Sequence, residues 1–245
     1  MTNFVKIATV YDNILDRSIH ELTKIYKDSA YLTDTMLRLT GEYFTKSSIK
    51  NKKVLLKPNW VKHSNRYSDQ LCMRTNDQFV LVVLELILKY EPHSIVIGDA
   101  PIQGGKWELI VSSEFQSKIM KLSLYHNVPI EIIDFRRVIF SPSSNNLREE
   151  IRPLNAYTVF DMGPDSFLEP ITRSDKNVFR VNDYNPDRLA NSHHSNVHEY
   201  CITNQLFELE VIISLPKVKT HQKVGLTNAL KNIVGLNGDK DFLPH

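Results

Sequence analysis

The chain has 245 residues, 42% hydrophobic and 24% charged, enough to bury the core of one large domain or two small ones and too apolar for wholesale disorder. A net charge of +2, with the basic residues dispersed, lacks the excess expected of a general nucleic-acid binder. Two cysteines, Cys72 and Cys201, argue against a disulfide scaffold, a cysteine zinc site or an iron–sulfur cluster within the chain.

Residues 1–10 carry no basic region, long apolar region or small-residue cleavage site of the secretory type. The most apolar window, 79–88, is short and contains Glu85, so it cannot span a bilayer. A cytoplasmic location is the expectation, with attachment to a membrane complex through partners left open.

Residues 5–10 read as a short strand. From 15 to 49 the apolar side chains (Ile19, Leu22, Ile25, Tyr26, Leu32, Met36, Leu37, Leu39) recur at threes and fours, which predicts two helices broken near Asp28-Ser29 and serving as a packing layer. Residues 53–56 form an apolar strand ending in Lys57-Pro58-Asn59-Trp60, where the proline turns the chain and displays Lys57 and Asn59. After a polar loop at 62–72, Thr75 or Asn76 caps a largely buried helix over 77–89.

A strand at 94–97 leads into Gly98-Asp99 and the pair Gly104-Gly105; a helix at 107–125 and a strand at 129–133, ending at Asp134, follow. Alternation of strand and helix implies right-handed crossovers and a parallel sheet. Ligands in such open sheets sit beyond the carboxyl ends of the strands, where Lys57, Asn59, Asp99, Gln103 and Asp134 fall. Residues 135–205 change character: short β-like pieces at 137–140, 157–161 and 177–181 are interrupted by Ser-Pro, Gly-Pro and Asn-Pro, predicting an inserted region of loops and antiparallel strands. A buried strand returns at 206–215. The fold class expected is α/β, an open and mostly parallel sheet with flanking helices and this insertion, as one domain over 1–245.

Pro216-Lys217-Val218-Lys219-Thr220-His221-Gln222-Lys223 follows that last strand. An extended backbone would put Lys217, Lys219, His221 and Lys223 on one side, as suits a phosphate or carboxylate. A helix directly after it would add its amino terminus and place Asn228, Lys231 and Asn232 on one face, with Leu226, Ala229, Leu230, Ile233 and Val234 on the packing side. The competing reading is a solvated cationic turn. The Gly104-Gly105 pair reads equally as a ligand-approach loop or a plain turn and matches neither dinucleotide nor phosphate-loop spacing. Asp99 is open to four roles: metal ligand, lysine partner, base or loop cap. His194 and His198 would share a face only in a helix, and the Asn-Ser surroundings of His193 favour a loop. No metal is therefore assigned, though those two are the candidates, and His198-Glu199-Tyr200 is an alternative substrate contact. There is no nucleophile elbow and no clear Ser/His/Asp order.

Three segments, Val54-Leu55-Leu56-Lys57-Pro58-Asn59, Ile95-Val96-Ile97-Gly98-Asp99-Ala100-Pro101, and Leu215-Pro216-Lys217-Val218-Lys219-Thr220-His221 with Ala229-Leu230-Lys231-Asn232-Ile233-Val234-Gly235, resemble the domain-of-unknown-function 362 (DUF362) proteins. The last is the most specific, and together they run over roughly residues 50–245 in the family's order. The resemblance implies no defined chemistry and no defined cofactor. Some members carry ferredoxin-like cysteine motifs, which this chain lacks, and others look associated with cell-surface polysaccharide gene sets. Members of the similar subgroup continue beyond the position of His245, which implies a truncated form or one piece of a split gene. A more distant likeness, in layout and residue type, is to the nickel-pincer lactate racemases, and it is analogy alone.

The expectation is a DUF362-like protein, enzyme or not, that holds an anionic small molecule at the strand ends. Lys57, Asn59, Gln103, Gly104, Lys217, Lys219, Thr220, Lys231 and Asn232 would bind it, and His221 or Asp99 would move a proton. The alternative is a non-catalytic accessory subunit of a redox or polysaccharide-assembly complex, with a protein partner.

Overall fold

A computed structural model describes residues 18, 21, 23–143, 146–172, 179, 186–222 and 224–244. The strand expected at 5–10 lies outside them, as does that at 177–181 but for Phe179.

The strands, in chain order, are β1 (Lys53–Pro58), β2 (Ser94–Asp99), β3 (Ile130–Asp134), β4 (Val138–Ser143), β5 (Asn146–Ile151), β6 (Tyr157–Asp161), β7 (His193–His194), β8 (Val197–Thr203), β9 (Val211–Leu215), β10 (Lys219–His221) and β11 (Gly225–Thr227). Four of them form a parallel sheet in the order β3-β2-β1-β9. The two inner strands, β1 and β2, are apolar almost without interruption because both faces are covered. Val54, Leu56, Ile95 and Ile97 face one core, and Leu55, Val96 and Ile133 face the other, as the two-residue repeat requires.

The first core is closed by α2 (Asp77–Leu88) and α3 (Ser113–His126), which bring Val80, Val83, Leu84, Ile87, Phe115 and Ile119 against the sheet. Outside them, α1 (Ser29–Thr40) packs Leu32 on Val82 and Leu86. Each helix begins where a short polar side chain takes a backbone N–H. Asp28 accepts from Tyr31 N at 2.9 Å, Asn76 from Gln78 N at 2.9 Å and Ser112 from Phe115 N at 3.2 Å. The Ser112 cap also explains why the helix expected over 107–125 is two pieces, Trp107–Ile110 and α3.

On the other face, Phe135, Leu206, Leu209 and Leu236 cover Leu55 and Ala100. The inserted region supplies two antiparallel units, β4-β5 and β6-β8-β7. The strand expected at 206–215 is shorter than its apolar run: Asn204–Glu208 is a 3-10 turn, and only Val211–Leu215 pairs with β1. Leu206 and Leu209 spend their apolar surface on the second core instead.

The largest departure follows β9. Residues 225–227 return as β11 and pair antiparallel with β10, so the helix does not start after the cationic turn. It begins at Ala229 as α4 (Ala229–Asn232) and tightens into a 3-10 turn over Ile233–Leu236. Leu226, Leu230 and Ile233, expected on a packing side, are exposed. Among the described residues, no helix is long and apolar enough to cross a membrane.

Candidate functional site

The carboxyl ends of β1, β2 and β9 open onto a cleft of about 230 Å3. Asn59 and Asp99 form its strand-end floor, while Lys219, His221 and Thr227 come from the β10-β11 hairpin. Lys231, Asn232, Val234 and Gly235 line it from α4 and the turn after it, and Lys240 and Leu243 close it from the segment beyond.

Asp99 is fully engaged beneath the cleft. One carboxylate oxygen accepts from Lys57 Nζ at 2.5 Å and from Ala100 N at 2.9 Å, the other from Trp60 N at 2.5 Å. Lys57 is buried, and its ammonium also donates to Pro58 O at 2.8 Å. Burial pulls the Lys57 ammonium below the usual lysine range, against the opposing field of Asp99. Such a pair fixes geometry more than it adds stability. It welds the end of β1 to the end of β2 and neutralises itself, so Lys57 contributes no free charge to the cleft.

Gly235 explains its own identity. A Cβ there would lie 1.9 Å from Asp99 Oδ1 and 2.6 Å from Lys57 Nζ, and Gly235 O accepts from Ala100 N at 2.9 Å. Asn232 secures the other side, donating from Nδ2 to Lys57 O at 2.8 Å and to Ser214 Oγ at 3.0 Å. Thr75 donates to Leu215 O at 2.6 Å and accepts from Asn59 N at 2.9 Å, tying the ends of β1 and β9 together.

The hairpin register sorts the cations. Lys219 and His221 are two apart and share the face toward the cleft; Thr220 lies between them and is exposed on the other face. Lys219 Nζ donates to Met73 O at 2.5 Å. Burial first, then the fields of Lys231 and Lys217, hold the Lys219 ammonium below its ordinary range. Lys231 Nζ lies 3.1 Å from His221 Nε2; an ammonium has only donors, so this contact places the acceptor lone pair of a neutral imidazole on Nε2. Lys240 is buried and donates to Ala100 O at 3.1 Å and Asn237 O at 3.3 Å, and burial lowers its pKa to about 8.

The structure thus brings together Asn59, Asp99, Lys219, His221, Lys231 and Asn232, and leaves others outside the cleft lining. Lys217 precedes β10, is half-buried, and has its ammonium pulled down by burial. Gly104 is exposed, and beyond its chain neighbours no atom of the described residues lies within 4 Å of where its Cβ would be. Gln103 is buried in a loop pinned by Arg136, whose guanidinium donates to the carbonyls of Ile102, Gln103 and Gly105 while paired with Asp134. Asp134 is therefore a loop anchor rather than a cleft residue, and Lys223 lies outside the described residues.

The histidine cluster also takes a form the sequence did not predict. His194 and His198 sit on facing strands, paired with Val197 and His193 respectively, not on a helix. His194 is exposed, whereas His198 is buried with Nε2 3.1 Å from Glu169 Oε2. Among the described residues, no group of three or more His, Cys, Asp or Glu side chains is arranged to hold a metal.

Sequence reasoning missed Lys240 and Thr227, and named Thr75 only as a helix cap and Gly235 only as the end of the family motif. Asp239-Lys240-Asp241 looks like an ordinary charged turn, and nothing in its spacing signals burial. Gly235 carried a usable signal, a glycine closing the motif Leu230-Lys231-Asn232-Ile233-Val234.

An α/β protein with a lysine-rich cleft at its strand ends is the class that fold and site define. Residues 167–242 match the family model described as Domain of unknown function (DUF362), which supports the family resemblance over the segment that supplies the β10-β11 hairpin and α4. No curated protein and no solved structure matches the chain.

Proposed function

We propose that this cleft binds a small molecule through a phosphate or carboxylate group. The observation that carries the reading is the convergence of Lys219, Lys231 and Lys240 with His221 on one cavity whose nearest carboxylate, Asp99, is already neutralised by Lys57. The fields of Lys231 and Lys217 already bear on the Lys219 ammonium, and a bound anion relieves that repulsion. Thr227 supports the same reading: it lines the cleft, and its buried hydroxyl has no hydrogen-bond partner among the described residues.

His221 is the proton-transfer candidate. Both oxygens of Asp99 are occupied by N–H donors, whereas His221 lines the cleft with Nε2 beside Lys231 Nζ. On the family resemblance alone, we further propose cell-surface polysaccharide metabolism as the setting of such a reaction. A ligand bound without turnover would instead make this a binding subunit.

A thermal-shift screen of phosphorylated and carboxylated metabolites tests the proposal. Hits should lose their stabilising effect in Lys219→Ala and His221→Ala. Undiminished stabilisation in both variants would remove the proposal.

A further inference from the structure

Beside the cationic cleft runs a second concavity of about 550 Å3 with a different character. Phe160, Phe167, Leu168, Leu230, Ile233 and Leu236 are among its lining residues. Phe167 and Leu230 are 102% and 84% exposed, values unusual for large apolar side chains unless something covers them. Val234 and Leu243 line both cavities, so the apolar groove adjoins the cleft. The segment carrying α4 divides its side chains between them: Lys231 and Asn232 line the cleft, Leu230 and Ile233 the groove.

We propose that the ligand is an anionic amphiphile, an aliphatic chain ending in a phosphate monoester, with its head among Lys219, Lys231 and Lys240 and its chain along Phe167, Leu230 and Ile233. The inference rests on the anion-cleft reading and adds the tail. Three cations favour a dianionic phosphate head over a singly charged carboxylate, because one carboxylate would leave most of the positive charge uncompensated. An apolar groove opening beside that charge matches a ligand with a polar end and a hydrocarbon body.

The test is isothermal titration with inorganic phosphate and with butyl, hexyl, octyl and decyl monophosphate below their micelle concentrations. Decanoate and decanol serve as head-group controls, and sedimentation is run alongside. Affinity should rise about two- to fourfold per added methylene, the upper value being that of full burial. Phe167→Ser and Leu230→Ser, both at exposed positions and checked for fold by circular dichroism, should flatten the series. Lys231→Met should lower affinity for every phosphate at least tenfold.

A flat series with inorganic phosphate still bound would overturn the amphiphile while leaving the cleft reading intact; no binding of any phosphate or of decanoate would overturn both. Decanol or decanoate binding as tightly as decyl phosphate would refute the phosphate head. A dimer that falls apart in Phe167→Ser, with no chain-length dependence, would show that a second copy covers the groove and would overturn the proposal.

Discussion

Lys240 gives the sharpest physical test of the site because its charge is buried whether or not a ligand is present. Its pKa of about 8 in the folded protein lies below the ordinary 10.5 that it regains on unfolding. Between those values only the unfolded chain holds the proton, so raising the pH favours the folded state. Below pH 8 the ammonium is present in both states and the folded protein carries the full cost of burying it, on the order of 3 kcal/mol. Lys240→Met removes the titration, keeps the volume and gives up the hydrogen bonds to Ala100 O and Asn237 O. Urea denaturation of both proteins at pH 7 and pH 10 isolates the effect, because every other titrating group is common to the two. The wild type should gain about 2–3 kcal/mol on the variant between those pH values, roughly 5–10 °C in Tm for a chain of this size. A difference between the two proteins that does not change with pH would refute the burial of a charged Lys240.

Anion affinity should also weaken as the pH rises through about 8, where Lys240 loses its proton; titration of any confirmed ligand at pH 7 and pH 9 measures this. Asp99→Asn leaves Lys57 buried without its counter-charge and should cost about 3–5 kcal/mol in urea unfolding, most of which returns when Lys57→Met is added. Gly235→Ala forces a methyl into the Asp99–Lys57 contact and should lower stability by about 1–3 kcal/mol or more, read as a drop in Tm. In native protein a thiol reagent should label the exposed Cys72 and spare Cys201, which is buried and whose thiol is pushed up to about 12; both should react in denaturant.

The sheet was legible because its strands are local and strongly patterned. Val54-Leu55-Leu56 and Ile95-Val96-Ile97 read as buried strands without knowledge of their partners, and Asn76 announced its helix. The site was legible only where chemistry and secondary structure coincide: alternation along β10 placed Lys219 and His221 together correctly. It failed at Lys217, because the strand begins two residues later, and at Leu226, because a return strand and a continuing helix share the same apolar content. Lys240 was invisible for another reason. Its burial comes from the second core and the ends of distant strands, contacts that no local spacing encodes.

The parallel pairing of β9 with β1 has a consequence for how the protein is made. Glu210 Oε2 accepts from Lys53 N across 157 positions, and Asn232 reaches Lys57 O across 175. During synthesis β1 leaves the ribosome with one edge bare, and at usual elongation rates roughly 10–30 s pass before its neighbour is made. Over that interval β1 is an apolar template open to any other strand, the situation that favours aggregation. The cleft cannot exist earlier, since its floor and its lysines come from opposite ends of that wait. Production of this protein should therefore respond to lower temperature and to chaperones that shield exposed strands, even though nothing in the finished fold would advertise the need.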